Sequence, residues 1–122
     1  MNLSPFEIRV QAEAIREGHV NNVKYMEFLE QARQPWYDYF LHLGFRSFVA
    51  KLQADYKQEA FLGDVLVIHT SVERVGNTSF VLSQRMYNQR EEQVVDAEVT
   101  FVAICARTGE KIRVPDELRT KA

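Results

Sequence analysis

GHVNNVKYMEFLEQAR, residues 18–33, decides how the rest of the chain is read. Gly18 supplies a tight turn, His19 follows it, and Asn21 and Asn22 are residue types that open helices. Asn21 is the N-cap candidate. From Asn22 onward Tyr25, Leu29, Ala32, Trp36, Phe40 and Leu43 return at helical spacing, the stripe of a helix packed on a core. Pro35 falls inside the pattern, where it removes a donor and crowds the carbonyl four residues back, so a kink is expected there. Gly44 is the expected C-terminal stop. At the other end the first backbone N–H groups have no partner within the helix, and they point toward whatever lies beside His19.

Working outward, residues 6–14 alternate, with Phe6, Ile8, Val10, Ala12 and Ala14 on one side and Glu7, Arg9, Gln11 and Glu13 on the other. That is the pattern of a strand covered on one face. Residues 15–18 break the alternation and turn the chain. Beyond the helix, residues 45–50 read as a connection, 51–58 as a short strand and 59–63 as a loop. Residues 64–75 are long and β-branched, Gly76-Asn77 is a turn, and 79–88 continue as the hairpin partner. The charged residues 89–93 form a second hairpin tip. Residues 94–106 make a third long strand with Val95, Ala97, Val99, Phe101, Ala103 and Cys105 on its apolar face. Thr108-Gly109 turns the chain again, 111–114 is a short strand, and 115–118 a tail or helical turn. One strand, one long helix and a meander of antiparallel strands define an α+β class in which a sheet wraps a central helix.

With 122 residues, 46% hydrophobic and 26% charged, residues 1–122 fit a single domain. A net charge of -2 and a pI near 5.9 leave no broad basic surface, which argues against nucleic acid or an anionic membrane as the main partner. No apolar run approaches the roughly 18–20 residues that span a bilayer. The N-terminal MNLSPFEIRV lacks the apolar segment of a signal peptide, and the lone Cys105 has no partner for an internal disulfide. A cytoplasmic address is therefore expected. Cys105 has no activating neighbour in sequence and reads as a buried, inert thiol. No metal or cofactor is expected, since His19 has no second ligand near it in sequence.

The 18–33 stretch resembles the helix-start motif of hotdog-fold thioesterases of the 4-hydroxybenzoyl-CoA thioesterase class, and HVNNVKY is also similar to plant acyl-carrier-protein thioesterases. Further matches follow in order: Tyr56, then Gly63-Asp64, then ERVGNTSF over residues 73–80, then Thr108-Gly109-Glu110-Lys111 running into Val114-Pro115. Together they cover nearly the whole chain. The resemblance implies a hotdog fold, hydrolysis of acyl-CoA or acyl-carrier-protein thioesters to acid and thiol, and a homodimer or homotetramer with active sites at subunit boundaries. Unpaired sheet edges favour such pairing on physical grounds as well.

The same resemblance implies site residues, position by position. The family's acid, four residues before the motif histidine, is replaced here by Ile15, whose alkyl side chain can neither take a proton nor attack a carbonyl. In the plant relatives an Asn two before the histidine belongs to the site, and that position is Glu17. If the segment stays extended, Glu17 shares a face with Ile15 and is the expected carboxylate. Glu13 is the second choice and Glu30 the third, each with an ordinary reading as a solvated or paired surface acid. His19 either orients water or the thioester oxygen, or is a hydrogen-bonded turn histidine; His42 and His69 lack its context. The Asn22 backbone N–H corresponds to the family's oxyanion donor, strengthened by the helix dipole. Tyr25 packs or lines the acyl pocket, and Gly63 and Asp64 shape a turn. Glu30 and Arg33, three apart, read as a pair on the helix surface. Arg74, Arg85, Arg90, Arg107 and Lys111 are scattered cations, none assigned to CoA phosphates.

The expected function is an acyl thioesterase. The alternative is a non-hydrolytic protein that holds an acyl thioester, kept open by Ile15; a hotdog dehydratase fits the helix-start motif less well.

Overall fold

The computed structural model describes residues 3–122. Its frame is a five-stranded antiparallel sheet, laid against one long helix. The strands are β1 (Phe6–Arg9), β4 (Phe45–Tyr56), β5 (Val65–Val75), β6 (Ser79–Tyr87) and β7 (Gln93–Cys105), in the spatial order β1-β5-β6-β7-β4. Between β1 and the helix, β2 (Ile15–Arg16) and β3 (His19–Val20) form a separate two-stranded ladder. The helix α1 runs Asn22–His42, and a short α2 (Asp116–Arg119) closes the chain.

The helix follows its stripe. Tyr25, Leu29, Ala32, Trp36 and Phe40 are buried, Leu43 is half-buried, and Phe28 and Tyr39 join the buried face. Pro35 does not end the helix, which continues through it for two more turns. Gly44, at φ +97, takes the left-handed conformation just past the end, and its N–H donates to the Leu41 carbonyl at 3.0 Å.

Three strand expectations are corrected. The first strand stops at Arg9, and Ala12–Ala14 form a turn of 3-10 helix, although the alternation of apolar residues continues across them. Residues 45–56 form one long strand rather than a connection followed by a short strand. A bulge between Val49 and Lys51 explains the misreading: inward positions are odd-numbered before it (Phe45, Ser47) and even-numbered after it (Leu52, Ala54). Residues 111–114 contribute one isolated bridge, Lys111 to Ile104, and no strand.

Two hydrophobic clusters fill the space between helix and sheet. The N-terminal half of α1 packs Tyr25, Phe28, Leu29 and Ala32 on Leu66, Ile68, Met86, Val95 and Ala97. The C-terminal half packs Trp36, Tyr39 and Phe40 on Phe45, Val72, Phe80, Leu82, Val99 and Phe101. Polar side chains separate them. Gln84, fully buried on β6, donates to the Leu29 carbonyl at 3.0 Å and to Thr70 Oγ1 at 3.2 Å. Its Oε1 accepts from Arg33 Nη1 at 3.0 Å, and Arg33 Nε donates to the Tyr37 hydroxyl at 2.8 Å. Arg33 is thus a buried, hydrogen-bonded cation at only 5% exposure, which corrects the surface pair with Glu30.

Candidate active site at the helix start

The site grows out of a tight hairpin. Ile15 pairs with Val20 and Arg16 with His19, leaving Glu17 and Gly18 as a two-residue loop. Both have positive φ, +55 for Glu17 and +87 for Gly18, the backbone of a type I′ turn, which matches the twist of the strands it joins. Gly18 adopts that conformation without strain, whereas Glu17 carries a Cβ into it. The segment is therefore folded back rather than extended, and the condition that would put Glu17 on the face of Ile15 is not met. Glu17 sits exposed at the tip, Glu13 is exposed beside it, and Ile15 packs against the aliphatic core cluster.

Backbone hydrogen bonds fasten this hairpin to two neighbours. Asn21 N–H donates to the Ala14 carbonyl at 2.8 Å, and Val20 N–H donates to the Ala60 carbonyl at 2.9 Å. The second bond draws the loop after β4 against the start of α1. The loop itself is shaped by Gly63, at φ +84, and by Asp64, whose carboxylate accepts the Phe61 N–H and the Gln89 side-chain amide, each at 2.9 Å.

A cavity of about 240 Å³ opens where these pieces meet, lined by His19, Val20, Asn22, Tyr25, Tyr56, Gln58 and Glu59. Three of the four site residues expected from sequence, His19, Asn22 and Tyr25, share this wall; Glu17 and Glu30 do not. Glu59 does. Nothing in its local spacing marked it, because the long-range bond between Val20 and Ala60 is what brings it to the helix.

The helix start is open. Asn21 takes the extended N-cap backbone, φ -61 and ψ 135, but its side chain makes no capping hydrogen bond, so the expected side-chain cap is absent. The first backward bond is Lys24 N–H to the Asn21 carbonyl at 2.9 Å, and the amides of Asn22 and Val23 precede it. Those amides and the helix dipole give this end a local preference for negative charge. His19 Nδ1 lies 3.2 Å from the Val20 carbonyl oxygen. A hydrogen bond across that gap requires the proton on Nδ1, which leaves Nε2 as an acceptor.

Tyr25 is buried, and its hydroxyl oxygen accepts the Ala60 N–H at 2.8 Å. Burial pushes its pKa above the ordinary 10; the Ala60 bond pulls the other way, and Glu59, Tyr56 and Asp64 add to the rise. The Tyr56 ring lies 5.4 Å from the Tyr25 ring at 56°, forming an aromatic floor. Among the described residues no group of His, Cys, Asp and Glu has the arrangement of a metal site.

Cys105 is remote from this cavity, at the far end of β7 from Val95, whose partner is Tyr56. It is half-buried rather than buried. Hydrogen bonds from the Thr108 side chain and from the backbone of Thr108 and Arg107 lower its thiol to about 7. The inert-thiol expectation is corrected to an ionisable thiol outside the site.

Comparison with known proteins decides the family. A sequence model described as the thioesterase-like superfamily matches residues 16–121. The chain belongs to that superfamily. It is 34% identical over 112 residues to the long-chain acyl-CoA thioesterase FadM of Escherichia coli strain K12, covering 84% of this chain and 83% of that protein. The crystal structure of YbaW, a probable thioesterase from Escherichia coli, superposes with a TM-score of 0.84 at 29% identity, over 96% of this chain and 94% of that one. Slr0204, a 1,4-dihydroxy-2-naphthoyl-CoA thioesterase from Synechocystis, shares the fold with a TM-score of 0.78 at 16% identity, over 96% and 93%. The curled antiparallel sheet with one long helix is the hotdog architecture of this superfamily.

Proposed function

We propose that this chain hydrolyses acyl-CoA thioesters to a free carboxylic acid and the CoA thiol, in the cavity at the start of α1. One observation carries the reading: an unplugged helix N-terminus, a histidine and a carboxylate line the same cavity. The FadM relationship supports the same chemistry and the same substrate class, and no observation favours the non-hydrolytic alternative.

The arrangement supplies each step. The thioester carbonyl oxygen faces the Asn22 amide, where the helix dipole stabilises the charge that grows on it. Glu59 takes a proton from water, in place of the acid that Ile15 cannot provide. His19 Nε2, as an acceptor, holds a water O–H rather than the carbonyl oxygen. The water oxygen attacks the carbonyl carbon, the C–S bond breaks as the oxyanion collapses, and the departing sulfur takes the proton held by Glu59. Glu17, at the hairpin tip, is the second carboxylate to test.

Assembly and address belong to the same proposal. β4 is an outer strand of the sheet, and Phe48, Val49 and Tyr56 along it are exposed. An apolar strand edge of this kind favours pairing with a second copy, so the working form is a homodimer, or a homotetramer built from it. A cytoplasmic address fits the single free cysteine. No helix among the described residues is long and apolar enough to cross a membrane.

A panel of acyl-CoAs, assayed with a thiol-detecting reagent, tests the reading. Thiol release that saturates with substrate supports it; saturable binding with no release turns the protein into an acyl-thioester binder. Acyl-carrier-protein thioesters carry the same reacting group and form the second arm of the assay, which separates the two carriers.

A further inference from the structure

The hydroxyl of Tyr25 has a proton that the fold does not use. A phenol both donates and accepts, and this oxygen already accepts the Ala60 N–H at 2.8 Å. Among the described residues no group accepts the Tyr25 proton, although the side chain is only 5% exposed and lines the cavity. A buried O–H with an unused donor gains from any acceptor brought within reach.

Its position is held from three sides. The side chain rises from the first turn of α1, one turn from the Asn22 amide. The Tyr56 ring packs against it at 5.4 Å. Ala60 donates its N–H to Tyr25 and its carbonyl accepts the Val20 N–H at 2.9 Å, so the two peptide groups flanking one residue fix the hydroxyl relative to the strand that carries His19. Burial also keeps the phenol protonated across the neutral range.

We propose that Tyr25 donates a hydrogen bond to the thioester carbonyl oxygen, acting with the Asn22 amide as the second donor to the oxyanion. This rests on the cavity being the site of thioester hydrolysis. No proton is transferred: the O–H stays on Tyr25, and the bond strengthens as negative charge develops on the oxygen. Charge-assisted hydrogen bonds are about twice as strong as neutral ones, so the contact favours the transition state over bound substrate.

Tyr25→Phe keeps the ring and removes the donor, but it also removes the acceptor for Ala60 N–H. A fluorotyrosine at position 25 leaves both in place and makes the phenol a stronger donor. Rates are to be measured below the pH at which the substituted phenol ionises, with thermal unfolding followed on the same samples. The expected result is a fall in kcat of about 10²–10³ in Tyr25→Phe with KM little changed, and a kcat that moves with phenol acidity in the fluorotyrosine protein. A kcat indifferent to fluorination, or a Tyr25→Phe loss that follows only the folded fraction, overturns this inference and leaves the hydrolase reading intact. A wild-type protein that releases no thiol from any acyl-CoA overturns both.

Discussion

The two ends of α1 rest on different materials. At its start the helix meets aliphatic side chains, an uncapped first turn and a cavity; at its end it meets rings. Phe40 lies within 5.1 Å of both Phe45 and Phe80, the first stacked and the second edge-on, and Phe80 stacks on Phe101 at 5.2 Å. Buried aromatic pairs of this geometry add to the energy of the area they cover. The open end leaves polar backbone unpaired, a cost that the closed end of the helix and the sheet beneath it offset. Between them lies the belt of Arg33, Tyr37, Gln84 and Thr70. Replacements at one end should therefore change chemistry and replacements at the other should change stability.

Glu59→Gln puts that division to its hardest test. The expected loss in kcat/KM is about 10²–10⁴, the usual worth of a general base, with the unfolding midpoint unchanged. Glu17→Gln in the same assay should stay within about twofold of wild type; the reverse pattern would return the carboxylate role to the hairpin tip. Phe40→Ala is the counterpart at the ring-filled end. It should cost about 3–5 kcal/mol in denaturant unfolding while the protein that remains folded keeps its kcat.

Gln84→Ala probes the belt. It removes the acceptor for Arg33 Nη1 and the donor to Leu29 and Thr70, leaving a buried cation short of a partner. A loss of about 1.5–3 kcal/mol is expected, and Gln84→Ala at wild-type stability would mean that the belt is not a structural divider. The smallest effect concerns Glu92, at the β6–β7 hairpin beside the cavity-lining Gln58. Hydrogen bonds from Asn88, Arg90 and Gln58 lower its carboxyl from 4.5 to about 2. A lowered folded-state pKa contributes stability that is complete above about pH 4.5 and is lost as pH falls from there through about 2. Glu92→Gln should flatten that part of the acid limb in unfolding midpoints measured against pH, and an unchanged limb would show the network to be solvated away.

Much of the open end was legible in the chain because it is local. Gly18, His19, Asn22 and Tyr25 stand within one turn and one helix start, so spacing alone places them near each other. Glu59 was not legible, since it reaches the cavity through a hydrogen bond between residues 20 and 60 that no local pattern encodes. The backbone at Glu17 departs from expectation for the opposite reason: two positive φ angles fold back a segment that has to stay extended for Glu17 to share a face with Ile15. β4 reads as two pieces in sequence because the bulge at residue 50 switches which positions face inward, and an uninterrupted period of two cannot survive that. The burial of Arg33 did leave a sign. Phe80, Leu82, Gln84 and Met86 share the inward phase of β6, and a glutamine in that row needs a polar partner across the core.

Ala60 has a wider consequence for how this architecture is tuned. The peptide groups on either side of it clasp Tyr25 through one N–H and Val20 through one carbonyl, while the neighbouring Glu59 stands outside that clasp and lines the cavity. The side chain at position 59 takes no part in that backbone clasp, so the fold holds a mould whose shape is set by main chain while the group offered at that place is set by one codon.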